Sequence, residues 1–109
     1  MDRVIKAKMR RLRNGHAPRF LDLFAGCGGL TLGFKTAGFE PLGAVELDAH
    51  AARSHGMNFF EASEAHCLPR DVHVSPSDLL AAVCTFRGRE RVDTKVDVLV
   101  GGPPCQAFA

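Results

Sequence analysis

Phe20-Leu21-Asp22-Leu23-Phe24-Ala25-Gly26-Cys27-Gly28-Gly29-Leu30 is the stretch on which the fold of this chain turns. A short apolar run over Phe20–Phe24 reads as a strand. It breaks into three glycines within four positions, and Leu30–Ala37 follows as a helix with Gly38 as its stop. Strand, glycine turn and helix in that order open a parallel α/β unit. The glycines let the backbone bend sharply and approach a ligand without side-chain interference.

Downstream the alternation continues. Pro41–Leu47 reads as a second strand, and Asp48 caps a helix reaching about Met57. Residues 58–69 carry no clear pattern. A weak third strand is expected over Leu68–Val74, with Pro69 delaying its start. Ser75-Pro76-Ser77-Asp78 is a helix start and 79–86 the helix. A polar loop then leads to a fourth strand at Val96–Val100. The pattern predicts an α/β fold, the N-terminal half of a doubly wound, Rossmann-like sheet of about four parallel strands covered on both faces. Ligands of such sheets lie at the carboxyl ends of the strands. The first and fourth strands are expected to be neighbours, so that their turns face one crevice.

At 109 residues and 46% apolar content, the chain has the material for one compact domain. Its net charge of +2 is unevenly spread. Residues 1–19 hold seven basic side chains against Asp2 alone, which makes them +6 and the remainder −4. Residues 1–18 are expected to form a basic arm, either a solvated, disordered or weakly helical tail or a contact for nucleic-acid phosphates, and 19–109 the domain proper. Cys27, Cys67, Cys84 and Cys105 lack paired spacing, which favours reduced thiols and a cytoplasmic location over a disulfide scaffold. No apolar run of about 20 residues suggests a membrane span. No metal-ligating motif stands out.

Two turns carry the chemistry. Glu46 follows Gly26 by twenty residues at the end of the second strand, where an acid commonly accepts hydrogen bonds from ribose hydroxyls. Asp22, inside an apolar strand, needs a partner; it either holds the amides of the glycine turn or lies near the ligand. In Gly101-Gly102-Pro103-Pro104-Cys105-Gln106, two prolines stiffen the backbone before a cysteine. Spacing alone leaves Cys105 open between a buried structural thiol and a nucleophile, which must act as thiolate.

In combination, Asp22-Leu23-Phe24-Ala25-Gly26-Cys27-Gly28-Gly29, Glu46-Leu47-Asp48 and Gly102-Pro103-Pro104-Cys105-Gln106 closely resemble the cytosine carbon-5 DNA methyltransferases over residues 19–109. The resemblance implies methyl transfer from S-adenosylmethionine to carbon 5 of cytosine in DNA, as in restriction–modification systems. It implies that Phe24, Gly26, Gly28 and Gly29 line the cofactor pocket, that Glu46 holds the ribose, and that Asp71 contacts the adenine amine; Asp22 is expected among the cofactor-binding residues. Pro104 borders the cofactor. Cys105 attacks carbon 6 of a cytosine flipped out of double-stranded DNA. The match at Asp71 is looser, since Arg70 precedes it in place of a small residue.

The family's downstream glutamate, arginine motif, target-recognition region and returning C-terminal segment are not in this sequence, and Ala109 stands where serine is usual. The 109-residue chain is therefore expected to be inactive alone. Other readings are a half-protein that needs a second polypeptide, an RNA cytosine-5 methyltransferase, and a nicotinamide-binding domain. The target DNA sequence is not encoded here.

Overall fold

In the computed structural model, which describes residues 2–78 and 96–103, β1 (Arg19–Leu23) is the middle strand of three. It pairs in parallel with β2 (Glu40–Val45) on one side and β3 (Val98–Gly101) on the other. Asp22 thus lies level with Ala44 and Val100. The expected adjacency of the first strand and the Val96–Val100 strand is realised. The register of β1 and β2 slips after Phe20, which passes over Leu42, and Pro41 is accommodated because β2 lies at the sheet's edge.

Alternation along β1 sends its side chains to two faces. On one, fully buried Phe20 packs against Phe34 and Phe39, with ring centroids 5.3 and 6.5 Å away. Phe34 belongs to the helix of the glycine turn, Gly29–Thr36. On the other, Leu21 joins Val45, with Leu23, Leu42, Val72 and Val96 packed around them. The Asp48-capped helix is also formed, over Ala49–Phe59, with the Asp48 carboxylate accepting from the Ala51 N–H at 2.9 Å.

One expectation is corrected. The strand predicted over 68–74 is absent, and the described residues form three parallel strands rather than four. Pro69 has no N–H to give a ladder, and the Asp71 side chain takes the His73 N–H at 2.9 Å, diverting the backbone into a turn. One bond, Arg70 N–H to the Glu46 carbonyl at 2.8 Å, still ties this segment to the end of β2. A helix does begin at 76–78, but the body expected over 79–86 lies outside the described residues.

The basic arm is helical and fastened to the sheet. Its residues Arg3–Arg13 form a helix, here α1, capped by Asp2, so that Gly29–Thr36 is α2 and Ala49–Phe59 is α3. The Lys8 ammonium donates to the Val96 carbonyl. Arg11 donates to the Ala17 carbonyl at 2.8 Å and pairs with the Asp97 carboxylate. Asp97, almost completely buried, also accepts the Arg19 N–H at 2.8 Å. α1 is thereby fastened to the amino ends of β1 and β3. Among the described residues, no helix is long and apolar enough to cross a membrane.

Candidate cofactor site

The residues that follow the three strands meet at the carboxyl end of the sheet. Phe24 leaves β1, Glu46 leaves β2 and Gly102 leaves β3, and all three line a cleft of about 690 Å³. Leu47, Asp71 and Val72 complete its wall, with Arg70 and His73 at the side. This volume lies within the range of small-molecule sites, about 300–1,000 Å³.

Glu46 is held from two directions. One carboxylate oxygen accepts the Gly26 N–H at 2.8 Å and the other the Asp48 N–H at 2.8 Å. Each oxygen retains a lone pair, so the carboxylate can still accept two ligand hydroxyls. Its orientation depends on a backbone amide of the glycine turn, which couples the two loops. The turn itself is tight. Ala25 N–H continues the ladder to the Val45 carbonyl at 3.0 Å, and Gly28 N–H returns to the Ala25 carbonyl at 3.1 Å. Gly28 has φ +108°, and a Cβ there would meet the Phe59 ring at 2.2 Å and the His55 ring at 3.1 Å. Only glycine fits both conditions.

Phe24 also adopts positive φ, +56°. A bulky aromatic in the left-handed region is a genuine outlier, costing about 1–2 kcal/mol. Its ring, 39% exposed, forms part of the cleft wall. Strain of this kind points to a functional constraint on where the ring must stand.

Beneath the turn runs a buried polar chain that sequence reasoning did not find. Thr31, in the first turn of α2, donates its hydroxyl proton to the Asp22 carboxylate at 2.8 Å. The same hydroxyl oxygen lies 2.8 Å from His55 Nε2 on α3. With the hydroxyl proton committed to Asp22, His55 is the donor, so its proton is on Nε2. All three side chains are essentially inaccessible. Asp22 Oδ1 and His55 Nδ1 have no partner among the described residues. Burial raises the Asp22 carboxyl above its usual range, although hydrogen bonds from Thr31 oppose this. Burial, then the nearby His66, lowers His55 to about 4 against the pull of Glu46.

Of the residues expected at the site, Phe24, Glu46 and Asp71 reach one cleft. Asp71 is exposed, and its Oδ1 accepts both the His73 N–H and, at 2.7 Å, the His73 ring Nδ1, which holds the carboxyl below its usual range. Asp22, expected among the cofactor-binding residues, does not line the cleft: it is fully buried under the turn and bonded to Thr31. Gly26 orients Glu46, and Gly29 is the exposed first residue of α2. Pro104 and Cys105 lie outside the described residues. Sequence reading also passed over Leu47, Arg70, Val72 and His73 in the cleft. The signals for the buried chain were Asp22, whose place in an apolar strand demanded a partner, and the polar Thr31 nine positions later at the head of an apolar helix.

A carboxylate with free lone pairs beside an aromatic ring and apolar walls suits a nucleoside-bearing cofactor. Comparison with known proteins shows the family. The family model for C-5 cytosine-specific DNA methylase matches residues 18–109. Type II methyltransferase M1.HphI of Haemophilus parahaemolyticus is 38% identical over 90 residues, 83% of this chain and 22% of that protein. Type II methyltransferase M.DdeI of Desulfomicrobium norvegicum is 37% identical over 90 residues, 82% of this chain and 19% of that protein. DNA (cytosine-5)-methyltransferase 1 of Rattus norvegicus is 39% identical over 94 residues, 84% of this chain and 6% of that protein. The chain thus spans about a fifth of the length of these bacterial relatives. No solved structure matches it.

Proposed function

The chain belongs to the C-5 cytosine-specific DNA methylase family, and from that premise we propose that it forms the cofactor-binding part of an enzyme that methylates carbon 5 of cytosine in DNA. The observation that carries this reading is the cleft in which Phe24, Glu46 and Asp71 converge beyond three parallel strands. In this reading Glu46 accepts the two ribose hydroxyls, Phe24 packs on the adenine ring, and the free oxygen of Asp71 accepts from the adenine amine. Val72 and Leu47 keep water from the base. S-adenosylmethionine, when bound, supplies an electrophilic methyl group on its sulfonium.

Cys105 is assigned the nucleophile's part on the family resemblance. Its thiolate adds to carbon 6 of the cytosine, forming a C–S bond and raising electron density at carbon 5, where methylation takes place. Loss of the carbon-5 proton to a base then expels the thiolate and restores the aromatic ring. The stiff Pro103-Pro104 backbone limits the entropy lost in holding the sulfur in place.

Calorimetric titration of the chain with S-adenosylmethionine, and separately with a nicotinamide dinucleotide, tests the assignment. Saturable binding of S-adenosylmethionine, weakened at least about tenfold by Glu46→Ala, is expected. Glu46→Gln keeps an oxygen for the Gly26 amide and should retain the turn while still losing affinity. Preference for the nicotinamide cofactor, or affinity unchanged in both variants, would overturn the reading.

A further inference from the structure

Helix α1 lies outside the residues that the family model matches, and its two long edges are used differently. At 3.6 residues per turn, Val4, Lys8 and Arg11 share an arc of about 60°, and Arg3, Lys6, Arg10 and Arg13 an arc of about 80° on the far side. The first arc is the fastened one, through Lys8 and Arg11. The second is exposed throughout, and among the described residues none of its four cations makes an ion pair. The acid at the head of the helix, Asp2, is engaged on the Val4 N–H.

These charges serve the helix only in part: Arg10 and Arg13, in its last turn, complement the dipole. Successive members are three or four residues apart, a spacing at which like charges repel. Arg3, in the first turn, also opposes the helix dipole. Rigid docking prevents the stripe from spreading. A polyanion relieves the repulsion, and the stripe's length of about 15 Å matches the axial run of about four phosphates on one DNA strand.

We propose that this stripe is a docking surface for the phosphate backbone of duplex DNA, independent of base sequence and separate from the cleft. The proposal rests on the reading that DNA is this protein's substrate. α1 is fastened at the amino ends of the strands and the cleft opens at their carboxyl ends, so the duplex held by α1 is not the stretch that offers a base to the cleft. Its use is to keep the protein on non-specific DNA while the target is sought. A lipid surface fits less well. No apolar residue falls within the basic arc; Leu12, Ile5 and Met9 form a flank only about 60° wide between it and the docked face, whereas interfacial helices present a broad apolar face.

The test is fluorescence anisotropy of a labelled 20-base-pair duplex of arbitrary sequence, titrated with the chain at several salt concentrations and without cofactor. Four phosphate contacts predict a log–log salt slope of about −3 to −4, a loss of about 100-fold in affinity between 50 and 200 mM. Replacing Arg3, Lys6, Arg10 and Arg13 together by glutamine, with circular dichroism to verify the helix, should bring the slope close to zero. Each single replacement should reduce it by about one unit. Lys35→Gln and Arg53→Gln, exposed on α2 and α3, should change nothing. Absence of duplex binding, binding that the α1 variants leave intact, or stronger binding to phosphatidylserine vesicles than to duplex would overturn the proposal. Because no cofactor is present, failure of the S-adenosylmethionine titration leaves this result independent.

Discussion

The hydroxyl of Thr31 and the imidazole of His55 meet at 2.8 Å inside the protein, joining α2 to α3 directly below the glycine turn. Through the same hydroxyl, Thr31 also engages Asp22 of β1. One oxygen therefore ties the central strand to the two helices that follow the glycine turn and the Glu46 loop. Removing it should be felt at both.

Thr31→Val keeps the shape and deletes the oxygen. It leaves the Asp22 carboxylate without the hydroxyl donor and His55 Nε2 without an acceptor, which predicts a loss of about 2–4 kcal/mol in a urea titration. Thr31→Ser restores the oxygen and should stay within about 1 kcal/mol of the parent chain. Equal losses in the two variants would mean that the methyl group, and not the hydrogen bonds, matters.

His55 sets a direction for acid sensitivity. Its folded pKa of about 4 lies below the unfolded value of 6.5, so the unfolded chain binds the extra proton first as pH falls. Its stabilising contribution is complete above about pH 6.5 and is lost progressively toward pH 4, up to about 3 kcal/mol. Asp22 acts in the opposite sense, since its raised carboxyl takes a proton more readily in the fold. Comparing parent and His55→Gln midpoints between pH 7.5 and 4.5 isolates the histidine. The parent should lose stability more steeply than the variant, and parallel curves would refute the assignment.

Gly28→Ala meets two obstacles, the positive φ and the Phe59 ring. Overpacking and left-handed strain together predict about 2–4 kcal/mol of destabilisation, read from the thermal midpoint. Gly29→Ala, with open space at its Cβ and no unusual φ, should be neutral within about 0.5 kcal/mol.

Phe24→Gly separates strain from function. Relief of the left-handed backbone offsets the lost ring contacts, so folding stability should change by less than about 1 kcal/mol. Affinity for S-adenosylmethionine should nevertheless fall about tenfold or more if the ring covers the adenine, as calorimetry would detect. A variant that binds as the parent does would remove Phe24 from the site.

Much of this was legible from local pattern. The apolar run at Phe20–Phe24, the glycines after it and Asp48 before α3 each act within a few residues, so strand, turn and cap could be read directly. Glu46 was found because the spacing from Gly26 in a βαβ unit places it at the next strand's end. The segment at 68–74 misled because Pro69 and the Asp71 side chain, not hydropathy, decide its backbone.

What the linear order left undecided were pairings between distant positions. Asp97 anchors Arg11 across 86 residues, so that the basic arm, whose order the sequence left open, is a docked helix with one free basic edge. Asp22 visibly needed a partner, but Thr31 and His55 look unremarkable in place, and the three become one buried chain only when β1, α2 and α3 pack together. Local propensity is a property of neighbours along the chain. Burial of a charge and the partner that makes it tolerable are properties of neighbours in space, and those the tertiary structure alone supplies.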